Sequence, residues 1–320
     1  MHVVITGITS VLMAALIPLC LLQPPQEAPM RQSLLIIRQE LPAQTVRFQT
    51  EQGILEQDME QYLAGVVMAE MPLSFPIEAL KAQATAARTY TCRRLEQPKH
   101  DGFDLCTDPS CCQSWMSRDQ MEAKLGDGAL CKKAEQAVQE TAGQVLVYEG
   151  ALIDAVYFSC SGGYTESAAA VWGSDIPYLQ SVESAGEKTA KHFASEVRVP
   201  AERFREIILS ADPSAVLEEQ PIFWIGETDR TSSGAVASMI IGGRSFAGTE
   251  LRRLFGLRST LFDLTVTDTE MVFSVRGNGH RVGMSQYGAA AMAEQGSSYD
   301  EILRYYYQGA ELQKASRLLP

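Results

Sequence analysis

The sequence is short of positive charge. Its 27 Lys and Arg stand against 39 Asp and Glu, a formal charge of −12. Nucleic-acid binding needs a basic patch, so the balance argues against such a partner. It is merely compatible with an anionic polymer as substrate. No G-x-x-x-x-G-K-[ST] occurs, so there is no phosphate-binding loop of that kind. There is no internal repeat and no low-complexity tract. The seven cysteines are an odd number, and Cys20 falls in an apolar N-terminal run, so no tidy disulfide framework follows. What remains is an ordinary globular mixture, 46% apolar and 21% charged over 320 residues. That is enough for one large or two modest domains with a sizeable core.

The N-terminus departs from this mixture. Val3–Leu22 carries no charge and is just long enough to span a bilayer. Pro18 is tolerable there. QPPQEAP then reads as an extended linker. The reading is an uncleaved anchor over 1–23 and a linker over 24–32, because no A-x-A site precedes the linker; a cleaved signal peptide is the alternative. No basic residue precedes the run, and Arg31 and Arg38 lie beyond it. Large Leu19 before Cys20 makes a poor lipidation site.

Residues 33–320 are expected to form one domain. Strand patterns fall at 34–38 and around Val46, and helical patterns at 57–71, 76–95, 130–141, 286–295 and 299–307. QVLVYEGALIDAVYFS, residues 144–159, reads as a hairpin turning at Glu149-Gly150, and LFDLTVTDTEMVFSVRG as another. An inserted lobe is one reading of 195–260, with a turn at Gly242-Gly243. Strands and helices do not alternate regularly, so the fold class is α+β rather than doubly wound.

Glu70 is the sharpest functional candidate. Leu63, Val66 and Val67 precede it by seven, four and three positions, which a helix puts on one face. Pro72 should end that helix near Met71. Glu70 would then close an apolar stripe in the last turn, where the macrodipole and apolar surroundings both disfavour its ionised form. A general acid requires that shift. Exposure to water or pairing with an Arg is the bland alternative.

Two further patterns carry chemistry. HDGFDLCTDPSCCQSW places His100, Cys106, Cys111 and Cys112 within 13 residues. They could close a structural tetrahedral zinc site, though the spacing matches no common finger, and a disulfide from Cys106 to Cys111 or Cys112 remains open. YFSCSGGYTE supplies Tyr157, Ser159, Ser161, Gly162, Gly163, Thr165 and Glu166, and GNGHRVGMSQYGAAAMA supplies Ser285, Gln286 and Tyr287. Hydroxyls, an amide and rings near open backbone suit sugar recognition; tight turns are the bland reading. Cys160 with His280 as a nucleophile–base pair is a weak candidate, since such a pair in sequence is not specific.

YLAGVVMAEMPLSFPIEALKAQATAARTY, the CSGG-T-E segment and GHRVGMSQYGA, in this order, resemble the stage II sporulation protein D family over about residues 34–310. The resemblance implies a membrane-anchored lytic transglycosylase cleaving peptidoglycan during spore engulfment, its domain extracytoplasmic in the septal space. It implies Glu70 as the catalytic glutamate and Arg88 as an active-site residue, for which binding a substrate carboxylate is a guess. It implies a structural zinc onto which His100, Cys106 and Cys112 fit, with Cys111 where a second His would be expected. A peptidoglycan amidase and a polytopic membrane protein are the implied partners. A two-carboxylate hydrolase would instead need a second acid, for which Glu166 is the first candidate. Related domains resemble amidase enhancers, so the alternative is a non-catalytic wall binder that stimulates an amidase. The groove is expected to have Glu70 between the two glycine-rich loops.

Overall fold

The computed structural model describes residues 44–126 and 128–315. The anchor at 1–23, the linker at 24–32 and the strand expected at 34–38 lie outside the described residues. Among the described residues no helix is long and apolar enough to cross a membrane. The architecture is α+β, with helices packed on small, mostly antiparallel sheets.

Helix α1 spans Met59–Glu70 and α2 spans Ile77–Glu96. The Asp58 carboxylate accepts from the N–H groups of Glu60 and Gln61, two donors that a helix start otherwise leaves unpaired. Met71 is already extended at φ −124° and ψ 139°, as a residue before proline prefers. Tyr62, Leu63, Val66 and Val67 are buried. Pro76, at φ −53°, leads directly into α2. The face of α2 that carries Leu80, Ala84 and Ala87 is buried in the larger core.

The hairpin Thr45–Thr50 with Gly53–Asp58 opens the described chain, and Leu105–Cys106 pairs in parallel with Phe48–Gln49. The cysteine-bearing loop is thereby stitched to a sheet edge. After it come α3, Arg118–Leu125, and α4, Gly128–Glu140. Only Met121 of α3 is buried. One apolar contact in eight residues leaves no periodic signal, so the helix was not legible in the sequence.

The 144–159 reading needs correction. Gln144–Tyr148 and Ala151–Leu152 do pair across Glu149-Gly150, at φ 51° and 81°. The second arm then leaves the sheet. Asp154 is drawn to the guanidinium groups of Arg93 and Arg94 on α2. Tyr157–Phe158 instead pairs in parallel with Met284–Ser285, bringing the two glycine-rich segments together.

Helix α5, Ala168–Trp172, precedes a second hydrophobic core that runs from Val199 to Val275. This core holds α6, Ala201–Ala211, and α7, Gly248–Leu254, against antiparallel strands. Phe204 stacks on Phe255 at 4.8 Å, and Phe255 meets Phe273 at 5.0 Å. The core therefore reaches past residue 260 and takes in the hairpin Leu261–Val266 with Glu270–Arg276. Helices α8, Gln286–Glu294, and α9, Tyr299–Tyr306, return to the first core.

Candidate active site

Glu70 opens onto a cleft of about 310 Å³. The end of α1 and the turn to Leu73 form one wall, Met121, Lys124 and Leu125 of α3 another, and Ser159, Gln286 and Tyr287 a third. Tyr287 is braced edge-on by Phe75 at 4.9 Å. No second carboxylate among the described residues lines this cleft. The backbone N–H of Ser114 donates to Glu70 Oε1 at 2.5 Å, and Gln286, whose Nε2–H donates to Gln83 Oε1 at 3.4 Å, lines the same cleft. Burial raises the Glu70 pKa above the ordinary carboxylate value; the Ser114 backbone and side chain and Gln286 pull it back without cancelling the rise. The group is thus biased towards its acid form, with donors in place to receive the charge when the proton leaves.

The floor beneath Glu70 is a neutral network. Gln113, buried, donates through Nε2 to Thr91 Oγ1 at 3.0 Å and to Tyr62 Oη at 3.4 Å. It accepts from the Tyr157 hydroxyl at 2.9 Å. Burial, with the Glu70 charge second, raises the Tyr157 hydroxyl well above its usual range, so it stays protonated. Gln113 and Ser114 escaped the sequence reading. Their signal, being next to Cys112, says nothing of where the chain returns.

A larger cavity of about 540 Å³ lies between α1, α4 and residues 115–118. Its acids are committed: Glu60 to Arg88 and Glu135 to Arg118. Gly65 fits there because Trp115 covers it, its Nε1 only 2.2 Å from where a Cβ would sit. The smaller cleft, with an uncommitted carboxyl group, is the better candidate for chemistry.

Arg88 needs correction. Its side chain is 1% exposed and forks onto Glu60 at 2.5 and 2.9 Å, with further bonds to the carbonyls of Val138 and Gln144. A guanidinium so occupied ties α1 to the start of the 144–148 strand and has nothing left for a substrate. Arg88→Met is expected to cost about 3 kcal/mol in denaturant unfolding, near the lower end for breaking a buried pair because Glu60 can rehydrate. An unchanged unfolding midpoint with lost glycan binding would restore the substrate-binding role.

The glycine-rich segments divide. Ser159, Gln286 and Tyr287 line the Glu70 cleft. Ser161 and Ser285 are fully buried and both donate to the Glu187 carboxylate, Ser161 at 2.8 Å. The Gly162 N–H also goes to Glu187, and the Gly163 N–H to Ser161 Oγ. Thr165 bonds the backbone of Val182, and Glu166, 1% exposed, accepts from Thr231, Ser233 and Arg281. These buried groups have spent their bonding capacity inside the fold, which corrects the substrate contacts expected of them. Glu166 cannot serve as the second acid. Arg281, buried at φ 67°, and Glu187 carry this interior; Arg281 stands inside the second glycine-rich motif but was not singled out there, and Glu187 belongs to no motif the sequence announces.

The thiol nucleophile fails on geometry. Cys160 is buried, points at the His192 carbonyl and is pushed up to about 12, chiefly by burial. His280 is lowered to about 4, first by burial, and so is neutral. Its Nε2–H donates to the Tyr157 carbonyl and its Nδ1 accepts from the Val282 N–H. Neither ring nitrogen is free to act as a base.

His100, Cys106, Cys111 and Cys112 converge, their donor atoms all within 4.8 Å of one another. His100 Nε2 lies 3.3 Å from Cys112 Sγ and 3.6 Å from Cys111 Sγ, and the two sulfurs are 3.9 Å apart. Zinc bonds of roughly 2.3 Å to sulfur and 2.0 Å to nitrogen give tetrahedral edges of about 3.5–3.8 Å, so the set fits that metal. None of the described cysteines is in a disulfide.

The Stage II sporulation protein family model matches residues 48–148. The chain is 37% identical to stage II sporulation protein D of Bacillus subtilis over 270 residues, 82% of this chain and 76% of that one. Its identity to the protein of the same name from Bacillus amyloliquefaciens is also 37%, over 269 residues and the same shares. Identity to the amidase enhancer of Bacillus subtilis is 30% over 300 residues, 78% of this chain and 40% of that one.

Proposed function

The chain belongs to the stage II sporulation protein D family, and from that premise we propose that it is a lytic transglycosylase cleaving peptidoglycan glycan strands. One observation carries this reading: a single carboxyl group, held towards its acid form by burial, lines a cleft with no second carboxylate among the described residues. A hydrolase of the common kind needs two. In the reaction, protonated Glu70 gives its proton to the glycosidic oxygen leaving the muramic acid. The C6 hydroxyl of that same sugar attacks its anomeric carbon, closing a 1,6-anhydro ring as the glycosidic bond breaks. The Glu70 carboxylate takes the hydroxyl proton and returns to its acid form. Ser114 N–H and the Gln286 amide stabilise the carboxylate between the two transfers. Ser159 and Tyr287 would bind sugar along the cleft.

The four ligands His100, Cys106, Cys111 and Cys112 would hold a zinc ion that supplies a cross-link and no open coordination position. Ser114 follows Cys112 by two residues, so that cross-link would steady the N–H on Glu70. An N-terminal membrane anchor, an extracytoplasmic domain, and an amidase and a polytopic membrane protein as partners in engulfment complete the reading.

A second reading is favoured by the amidase enhancer relative: a wall-binding protein that stimulates an amidase. One experiment separates the two. The full chain, in detergent, is incubated with sacculi and the soluble products are analysed by mass spectrometry. Anhydro-muramic ends are expected. Reducing ends would mean hydrolysis, and no release with faster cleavage by an added amidase would favour the enhancer. The rate is expected to fall as pH rises through the raised Glu70 pKa, because the first step needs the acid form. A profile flat across neutral pH would contradict Glu70 as the acid.

A further inference from the structure

Glu187 is the most heavily bonded carboxylate in the described structure, and the mechanism above does not use it. It is 2% exposed and starts the short turn Glu187–Thr189. Its Oε2 accepts from Ser161 N–H at 2.7 Å, Ser161 Oγ at 2.8 Å and Gly162 N–H at 3.0 Å. Its Oε1 accepts from Ser184 Oγ at 2.7 Å and from Ser285 Oγ. Two backbone N–H groups and three serine hydroxyls thus converge on it. Tyr306 Oη lies 2.7 Å from Ser184 Oγ and donates to it, since the Ser184 proton goes to Glu187.

The Ser285 contact reaches the cleft. Ser285 caps α8, its Oγ accepting from the Gly288 N–H at 3.2 Å. The next residue, Gln286, lines the Glu70 cleft, its Nε2–H donating to Gln83 Oε1 at 3.4 Å. The turn bearing Glu187 also presses on α8: at Gly186, φ 84°, a Cβ would come within 2.6 Å of the Ala291 methyl. One carboxylate therefore ties the glycine-rich segment at 161–162 to the start of α8 and sets the place from which Gln286 extends.

We infer that Glu187 is a positioning residue: by clamping Ser285 it holds Gln286 in the wall of the cleft onto which Glu70 opens. The inference rests on the reading of Glu70 as the acid–base group. Its structural half, that Glu187 governs the place of Gln286 in the cleft, can fail separately. The other titratable groups facing Glu70 are Tyr62 on α1, Tyr157 on its strand and Lys124 on α3. None is a hydrogen-bond partner of Glu187.

The test compares the wild-type full chain with Glu187→Gln, Gln286→Leu and the double variant. An amide at 187 removes the charge that strengthens five hydrogen bonds, so the clamp on Ser285 weakens. The Glu70 carboxyl is titrated by ¹³C NMR on glutamate-labelled protein, its resonance identified by its loss in Glu70→Gln. Both single variants are expected to raise the Glu70 midpoint, since each displaces from the cleft the Gln286 amide that favours the carboxylate. Anhydro-muropeptide release is expected to lose at least tenfold in kcat with KM within about twofold, and the double variant to be no worse than the poorer single one. Glu187→Asp, which keeps the charge, should recover part of the rate. If Glu187→Gln fails to fold, Ser285→Ala opens the clamp from the other side and carries the same expectation. A variant that melts lower while Glu70 titrates as in wild type makes Glu187 a scaffold only and overturns the inference. Wild-type protein that releases no anhydro products overturns the catalytic reading, while the titration still decides the clamp.

Discussion

Glu70→Gln is expected to lower anhydro-muropeptide release by about 10³-fold or more, to the level of protein-free controls. General acid–base catalysis contributes roughly 10²–10⁴-fold, and here one group serves both proton transfers. The amide is nearly isosteric. Its oxygen can keep the Ser114 N–H bond, so binding to the glycan is expected to persist in a pull-down with sacculi. Stability supplies an internal control. The folded-state pKa of Glu70 is raised above its unfolded value, so the folded chain holds more protons than the unfolded chain between those two values. That carboxyl group therefore costs stability as pH rises through the window, and the full cost is present above the raised pKa. Glu70→Gln removes the cost. It should melt no lower than wild type near pH 8, and relatively better there than near pH 4. Normal product release by this variant would sink the catalytic role. A collapse in melting temperature at pH 8 would mean the lost activity reports misfolding.

Removing the metal ligands is expected to have the largest effect on stability. Purified protein should carry about one zinc per chain if His100, Cys106, Cys111 and Cys112 close one site. Structural zinc binding is folding free energy. If only about 3 kcal/mol of it is coupled to the domain, Cys106→Ser should lower Tm by roughly 6–12 °C and lose its zinc together with that stability. The rate should fall too, because the loop ends at the Ser114 N–H that Glu70 uses. Cys111→His offers the decisive contrast: imidazole is as good a zinc ligand as thiolate, so metal content should survive that exchange and not Cys111→Ala. Protein without metal, unaffected by Cys106→Ser, would return the four residues to free thiols and a surface histidine.

Much of the local structure was legible. Leu63, Val66 and Val67 announced the buried face of α1, and Pro72 its end, because a helix repeats every 3.6 residues and proline stops it. The Glu149-Gly150 and Gly242-Gly243 turns were read correctly because two adjacent residues at positive φ favour such pairs. Helix α3 escaped because a polar helix touching the core through Met121 alone leaves no pattern. Arg88 was misplaced for another reason. Its neighbours in AARTY say nothing about Glu60, which meets it only when α1 packs on α2.

By itself, then, the sequence determined the elements whose cause is local: the helix that ends in Glu70, the turns, and the crowd of zinc-type ligands within thirteen residues. Tertiary structure alone decided which polar groups became site and which became scaffold. Ser159 and Ser161 are two positions apart in one glycine-rich run, yet one lines the cleft and the other is sealed onto Glu187. Their residue type is identical. What separates them is the partner that long-range packing delivers, and a buried hydroxyl must take a bond wherever the fold supplies one. Glu70 shows the same rule in reverse. Packing brought it the Ser114 N–H from a distant segment, and no cation among its hydrogen-bond partners in the described residues. A carboxyl group so placed is left partly desolvated and held towards its protonated form, the form a general acid needs.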